Sequence, residues 1–221
     1  VTGNVKELDL TNGAPNVTKI IVPNTVTTLL DNPFRSAAAA GYSVYCESED
    51  CPLLQGLTEL QSIPEYAFGG LGDIDYLTTL DLSNTKITEL PYRFIERSKI
   101  ENIKFPATLK TVKNGAFTMA GETDIAGSAE KNRYLTAINL PEGVETIEEE
   151  AFAGHPFDTI DIPSTVKNVD VESGREDSSG DLWAYSGDNF TGKGCEAATV
   201  TIHGDTLSAE DVAKFSNNGR N

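Results

Sequence analysis

One phrase recurs along this chain with the same internal spacing. Its clearest copy, over residues 135–152, is Leu-x-x-Ile-x-Leu-Pro-x-x-Val-x-x-Ile, followed after three residues by Ala-Phe. Residues 100–117 reproduce every spacing, residues 17–34 do so with Pro-Phe at the end, and residues 157–169 lack only that ending. Self-similarity at a short fixed period predicts a stack of repeats, in which each unit buries its apolar side against its neighbours.

The order of residues within the phrase predicts the path of one unit. Ile138 and Leu140, separated by one residue, predict a short strand with both side chains facing inward. Pro141 has no N–H to donate, so it ends that strand and turns the chain. Val144 and Ile147, three residues apart, predict a loose helical or irregular turn that returns along the other face. The closing Ala-Phe suits a small residue against the backbone and a ring in the centre of the coil.

The repeats have a basic period near 23 residues. Successive second residues of the predicted strands are 24, 36, 23, 35, 22 and 40 positions apart, and they are Val22, Cys46, Leu82, Phe105, Leu140, Ile162 and Ile202. The long steps indicate three insertions, near residues 47–59, 118–134 and 170–196. The period is typical of leucine-rich repeats.

Three segments depart from the phrase. In the unit at residues 77–91, Ser83 replaces the proline and Ile87 comes one position late. Residues 60–68 are only the second half of a unit, whose first half we place upstream at residues 44–46. A fragment with Leu8 and Leu10 precedes the first full unit, and we expect it to cap that unit.

This phrase resembles that of the BspA-like leucine-rich-repeat family of bacterial surface proteins, over most of residues 5–203. The resemblance implies a right-handed leucine-rich-repeat solenoid, mostly β with irregular or short helical turns, and with parallel strands on the concave face. It also implies export and display at the cell surface, and adhesion for some members. No catalytic residue belongs to the family motif. We therefore expect one domain over residues 1–221, with a C-terminal cap at residues 204–221.

The cap is predicted to contain a short helix. Ser208 is followed three residues later by Asp211, which is typical of a capping box at a helix start. Val212 and Phe215 would then cover the exposed edge of the last repeat, as terminal units of a repeat array require.

The charge of the chain argues against two classes of partner. With 34 acidic and 17 basic side chains the formal net charge is −17. Nucleic acids and anionic membranes attract basic surfaces, so neither is an expected partner. No stretch is long and apolar enough to span a bilayer. Because the sequence begins at Val1 without Met, we expect a leader to have been removed and the protein to be extracellular or at the cell surface.

The cysteines leave two alternatives open. Cys46 and Cys51 either form a disulfide, as an exported protein permits, or remain two free thiols. Cys195 would be unpaired. The histidines, His155 and His203, lie in no nucleophile motif, and the Cys and His spacing fits no zinc site. We therefore predict no enzyme activity, no catalytic residues, no metal and no cofactor.

Two surfaces are candidates for binding. The first is the outward side of the concave strands, where small and polar side chains predict a broad, weak contact with a protein on host matrix or another cell. Its candidate residues are Lys19, Tyr45, Asp81, Asn102, Lys104, Asn139, Asp161 and Thr201. An unspecialised solvated sheet is the competing interpretation.

The second candidate surface is the insertion at residues 170–196. It carries Trp183, Tyr185 and Phe190 within a segment rich in Gly, Ser and Asp. Such aromatic side chains stack on sugar rings or anchor a protein, which makes a glycan-binding surface protein the alternative function. The competing interpretation, which we favour, is a small satellite core that holds the insertion against the repeats.

Overall fold

The computed structural model describes residues 6–8, 25–30, 58–68, 79–96, 98, 100–117, 122–124, 131–148, 151–152, 158–169 and 199–214. The elements are β1 (Glu7–Leu8), β2 (Thr28–Leu29), β3 (Thr79–Asp81), β4 (Glu89–Leu90), β5 (Asn102–Lys104), β6 (Thr111–Val112), β7 (Glu122–Asp124), β8 (Lys131–Arg133), β9 (Ala137–Asn139), β10 (Thr146–Ile147), β11 (Thr159–Ile162), β12 (Asn168–Val169), β13 (Thr199–Ile202) and the helix α1 (Ala209–Lys214).

In the part of the chain that the structure describes, the first apolar pair of a unit forms a parallel strand, as predicted. We call the set β3, β5, β9, β11 and β13 the first ladder. Within it β3 pairs with β5, and β11 pairs with β9 on one side and β13 on the other, always in parallel. Equivalent positions of the phrase lie opposite each other, so the repeat spacing sets the register.

The second half of the unit is more regular than a turn. Val144 and its equivalents close the turn that follows the proline, but the next apolar residues belong to two-residue strands. These strands, β4, β6, β10 and β12, pair in parallel in chain order and form what we call the second ladder. Four units, those of β3–β4, β5–β6, β9–β10 and β11–β12, thus contribute a strand to each ladder, which is a leucine-rich-repeat fold with short parallel strands.

The N-terminal segments also join second-half positions. Leu8 in β1 lies opposite Leu29 in β2, and Thr28 forms a parallel bridge with Ser62. The fragment at Leu8 therefore pairs with the second half of the first unit. The bridge at Ser62 confirms that residues 60–68 are the second half of a unit.

The first ladder is interrupted where the insertion at residues 118–134 enters. Among the described residues, β5 and β9 do not pair, whereas β6 and β10 of the same two units do. The insertion contains an antiparallel hairpin, β7–β8, with Glu122 opposite Arg133. A polar insertion thus carries its own hydrogen-bonded structure and splits only one of the two ladders.

Proline and its replacement end the strands in different ways. After Pro106, Pro141 and Pro163 the chain turns and the N–H three residues on donates to the proline carbonyl, at 3.1–3.4 Å. Ser83 has an N–H at the equivalent position, and Asp81 Oδ1 accepts from both that N–H (3.0 Å) and the Ser83 hydroxyl (2.6 Å). Hydrogen bonds to the Asp81 side chain therefore end the strand in place of proline. The turn is one residue longer than in the other units, which accounts for Ile87 coming one position late in the phrase.

The core runs through the units as a column of rings. Phe94, Phe117 and Phe152 are fully buried. The centroid of the Phe117 ring lies 5.6 Å from that of Phe94 and 5.5 Å from that of Phe152. The backbones beside the rings are also joined, since Phe68 N–H donates to the Phe94 carbonyl (2.7 Å) and Phe117 N–H to the Ala151 carbonyl (2.9 Å). Ala-Phe therefore fills the centre of the coil as predicted.

The C-terminal helix begins at the predicted cap. The Asp211 N–H donates to Ser208 Oγ (3.1 Å), and the Ser208 hydroxyl donates to the Asp211 carboxylate (2.7 Å). Val212 is 42% exposed and so is only partly covered, although its helix lies beside β12, the last strand of the second ladder. Leu207, just before the helix, packs against the core instead, because the chain crosses the last unit before the helix starts. Phe215 lies outside the described residues.

Candidate functional site

The outward positions of the first ladder form a row of polar side chains, which we call the strand row. Because side chains alternate along a strand, the residue between two buried ones points outward. The register places Asp81 opposite Lys104, and Asp161 between Asn139 and Thr201. The strand row is therefore Asp81, Lys104, Asn139, Asp161 and Thr201, in two segments separated at the interruption between β5 and β9.

The first segment of the strand row is an ion pair. Lys104 Nζ donates to Asp81 Oδ2 at 2.9 Å, and Asn102 is exposed at the start of the same strand as Lys104. Burial would raise the pKa of Asp81, but hydrogen bonds from Ser83 and Lys104 outweigh it and hold that pKa below its usual value. Asp81 is thus a fixed carboxylate, while the Lys104 side chain stays 63% exposed.

The second segment is an exposed mixture of amide, carboxylate and hydroxyl groups. Asn139 and Thr201 are exposed, and Asp161 is partly exposed between them. His203 Nε2 lies 3.7 Å from Asp161 Oδ1 at the end of the last strand. Such groups exchange hydrogen bonds with a partner surface or with water equally well, which fits a weak contact.

Several predicted binding residues lie outside the described residues. They are Lys19 and Tyr45 of the first candidate surface, and the three aromatic side chains of the second (Trp183, Tyr185 and Phe190). The two cysteines Cys46 and Cys51, considered for a disulfide, and His155 also lie outside the described residues. These predictions stand as the sequence made them.

Charged side chains in and directly beside the second-ladder strands pair with one another across units. Glu145 receives hydrogen bonds from Lys110 and Lys167, both at 3.2 Å, and these lower its pKa. Lys113 lies 3.1 Å from Glu148 and 3.6 Å from Glu89, and its pKa is raised chiefly by the hydrogen bond to Glu148. This side alternates in sign along the stack, so its charges are already matched internally.

Sequence reasoning missed a cluster beside the Ala-Phe positions, which we call the corner cluster: Glu65, Tyr66, Tyr92, Arg93 and Glu96. Tyr66 and Tyr92 pack edge to face, 5.8 Å between ring centroids. The Arg93 guanidinium lies 4.9 Å from the centre of the Tyr92 ring and donates from Nη1 to Glu96 Oε1 at 3.0 Å. The sequence feature that could have indicated this cluster is Gly115. It occupies, in the unit after that of Arg93, the same position that Tyr66 and Arg93 occupy in their own units.

Neither a metal site nor a membrane-spanning helix is found in the part of the chain that the structure describes. There, no three His, Cys, Asp or Glu side chains converge as metal ligands would. None of the described helices has the length and apolar character needed to cross a membrane.

The repeat phrase, the two parallel ladders and the ring column together define the class of repeat. A family model described as the BspA type leucine rich repeat region matches the chain in six copies, over residues 11–120 and 44–173. The chain belongs to the BspA-type leucine-rich-repeat family. The BspA-type match spans the strand row from Asp81 to Asp161 and the corner cluster.

Other comparisons add little to the BspA-type assignment. The chain is similar to a leucine-rich cell surface protein from Faecalibacterium prausnitzii A2-165, whose crystal structure is known, with 13% sequence identity and a TM-score of 0.32. The similarity covers 76% of this chain and 61% of that one, so this chain spans less than two thirds of that protein. No curated protein matches the chain.

Proposed function

We propose that this BspA-type chain is a non-enzymatic module, secreted or displayed at the cell surface, that binds a protein through the strand row. The observation that carries the proposal is the register of the first ladder, which lines up Asn139, Asp161 and Thr201 on one face. A parallel ladder spaces its side chains about 4.8 Å apart. The result is an ordered array of hydrogen-bonding groups on a rigid support.

The chemistry of this array favours a broad protein contact over a small-molecule pocket. Its side chains are polar and stand on an open sheet face, where few atoms of a small ligand would be enclosed. A protein can instead make many weak polar contacts at once, and repeated modules strengthen such contacts through multivalency. The family supports display outside the cell, where the partner would be host matrix or another cell.

Binding of the purified chain to an array of extracellular-matrix proteins and glycans tests this proposal. A double variant, Lys104→Ala with Asn139→Ala, should lose most of any protein binding. The matched control is Lys167→Ala with Asn168→Ala, which removes the same two residue types from the second ladder, where both are exposed. Binding that falls equally in both variants, or no saturable protein binding at all, would contradict the proposal.

The glycan-binding alternative makes a different prediction in the same array. It requires Trp183, so sugar binding that disappears in Trp183→Ala would move the function to the insertion at residues 170–196. Protein binding that survives Trp183→Ala but falls in the strand-row variant agrees with the proposal.

A further inference from the structure

The last strand of the first ladder has an unpaired edge. β13 is the final strand of its sheet and pairs with β11 on one side. On that side the N–H groups of Thr199 and His203 donate to carbonyls of the β11 segment, at 2.9 and 3.0 Å. Because successive residues of a parallel strand point their backbone groups to alternate edges, the N–H and C=O groups of Val200 and Ile202 point away from β11. No hydrogen bond reaches these four groups from the part of the chain that the structure describes.

The inward side chains of β13 are also incompletely covered. Val200 and Ile202 pack against the core but remain partly exposed, whereas Ile160 and Ile162, which lie opposite them in β11, are fully buried. Apolar surface gains about 25 cal/mol per Å² when it leaves water. A further strand at this edge would bury both side chains and satisfy the four backbone groups, as β13 does for β11.

The sequence of β13 gives the edge no protection against pairing. Edge strands of soluble proteins usually carry a Lys, a Pro or a bulge that keeps other strands away. The residues of β13 are Thr, Val, Thr and Ile, all of them β-branched and none of them charged, and their register with β11 is continuous over all four positions. β-branched residues also favour the extended conformation. The edge is therefore able to accept a strand.

The other ladder limits what can be added. The helix α1 lies beside β12, the last strand of the second ladder. A complete further unit would have to join both ladders, and the second is already covered. A single extended segment needs only the edge of β13, and addition of a strand to a sheet edge is a common way to recognise a peptide.

The charges favour a basic segment over a second copy of this chain. Residues 199–213 contain three acidic side chains and no Lys or Arg, and Asp161 lies opposite Thr201 on the neighbouring strand. The chain as a whole has a net charge of −17, so two copies repel each other. A segment that carries Lys or Arg is attracted by the local and the total charge alike.

We propose that the outer edge of β13 binds an extended segment of a partner protein, which adds to the first ladder as a further strand. Aliphatic side chains at alternate positions of that segment cover Val200 and Ile202, and Lys or Arg side chains stand between them on the outward face. The contact is made by the strand edge and not by the strand row, so it does not rest on the proposed function.

The test measures fluorescence anisotropy of a labelled peptide, Lys-Thr-Ile-Lys-Ile-Thr-Lys, in which Ile alternates with polar residues. Its matched control, Lys-Thr-Lys-Ile-Ile-Thr-Lys, has the same composition and charge but places the two Ile side chains on opposite faces of a strand. The wild-type chain should bind the alternating peptide at least about fivefold more tightly than the control. General attraction to an acidic protein would bind both equally.

Two methylated versions of the alternating peptide identify the backbone contact. One carries N-methyl groups on both Ile residues, and the other carries them on the central Lys and the second Thr. An added strand points one of these sets at β13 and the other away from it. One version should therefore bind about tenfold more weakly or worse and the other less than threefold more weakly. The version that loses binding also gives the direction of the added strand.

A pair of variants tests the same contact from the protein side. Val200→Pro removes the outward N–H and leaves the bonds to β11 in place, as proline on an edge strand does. Val200→Ala removes the same apolar contact but keeps that N–H. We expect about tenfold weaker peptide binding for Val200→Pro and less than threefold for Val200→Ala. If Val200→Pro fails to fold, the two methylated peptides decide the question on the wild-type chain.

Three results would overturn the inference: equal binding of the alternating and control peptides, equal losses for the two methylated versions, or full binding by a folded Val200→Pro variant. A dimer in sedimentation that Val200→Pro abolishes, without binding of the peptide, would assign the edge to a second copy instead. The strand-row variant, Lys104→Ala with Asn139→Ala, should bind the peptide as wild type does. The two proposals can therefore fail separately, because the strand row is judged on the matrix array.

Discussion

At the residue scale, one threonine position joins consecutive units. In the phrase Pro-x-Thr, the Thr108 hydroxyl donates to the Ile87 carbonyl and the Thr165 hydroxyl to the Val144 carbonyl, each at 2.7 Å. Thr206 makes the same bond to the Val166 carbonyl, also at 2.7 Å. These hydroxyls satisfy carbonyls that face the next unit, and so they contribute to the stacking of repeats.

Thr165→Val should cost more stability than Thr108→Val. The Thr165 hydroxyl donates to one carbonyl and also accepts from Gly143 N–H at 2.9 Å, so its loss leaves two backbone groups without a hydrogen bond from this side chain. We expect a loss of about 2–3 kcal/mol for Thr165→Val and about 1 kcal/mol for Thr108→Val. Urea unfolding of both variants measures the difference, and equal losses would show that the second bond contributes nothing.

The two positions with left-handed φ, Tyr66 and Arg93, should differ in how much glycine changes stability. Tyr66→Gly loses an edge-to-face ring contact but relieves the left-handed strain, so we expect a change within about 1 kcal/mol. Arg93→Gly gains the same relief but leaves the buried Glu96 carboxylate without its cation. We expect it to destabilise the protein by about 1–3 kcal/mol. Thermal unfolding compares them, and an Arg93→Gly variant as stable as wild type would contradict this account.

At the scale of the element, the turn after β3 depends on a charge. Asp81 accepts hydrogen bonds from Ser83 where other units have proline, and Lys104 pairs with it from the next strand. Because the folded pKa of Asp81 is lowered, its contribution is present above the unfolded pKa of about 3.9 and is lost as the pH falls through the folded value.

Asp81→Asn should therefore be less stable than wild type at neutral pH, and the difference should shrink as the pH is lowered from neutral to about 2. At neutral pH the expected loss is about 1 kcal/mol, because the side chain is partly exposed and its ion pair is screened by solvent. Urea midpoints at the two pH values measure the effect. Lys104→Met is the control that removes the ion pair and keeps the turn, and it should cost less than Asp81→Asn at neutral pH.

At the scale of the whole molecule, the units on either side of the interrupted first ladder remain joined by the second ladder and by the ring column. The stacked pair Phe117–Phe152 crosses this boundary, as does the pairing of β6 with β10. In a repeat array, stability is a sum of unit terms and nearest-neighbour terms. Because the first ladder does not cross this boundary, the stability of the contact between its two units depends more on the buried rings than it does at other boundaries.

Phe117→Ala should uncouple the two sides of this boundary. We expect a loss of about 3–5 kcal/mol, as for other buried rings, and an unfolding transition that separates into two phases. Phe68→Ala removes an equally buried ring at another unit and should lower stability in a single phase. Circular dichroism in urea distinguishes these results, and a single cooperative transition for Phe117→Ala would show that the second ladder alone couples the two sides.

The sequence by itself determined the repeat, its register and most of its core. The apolar positions of the phrase from Ile138 to Phe152 correctly predict which residues are buried, since a strict period leaves each unit only one apolar side to bury. It also placed Asp81, Asn139 and Asp161 on outward positions, because strand alternation is a local property. The capping box at Ser208 was equally local and equally predictable.

Tertiary structure alone decided what depends on neighbouring units. The interruption between β5 and β9, the second ladder as strands and the meeting of Tyr66 with Tyr92 all require atoms some 20–40 residues apart. The left-handed φ of Tyr66 and Arg93 was hidden for the same reason, since their side chains give no local signal for that conformation. Stacking of units brings such residues together, and no spacing within one unit encodes those contacts.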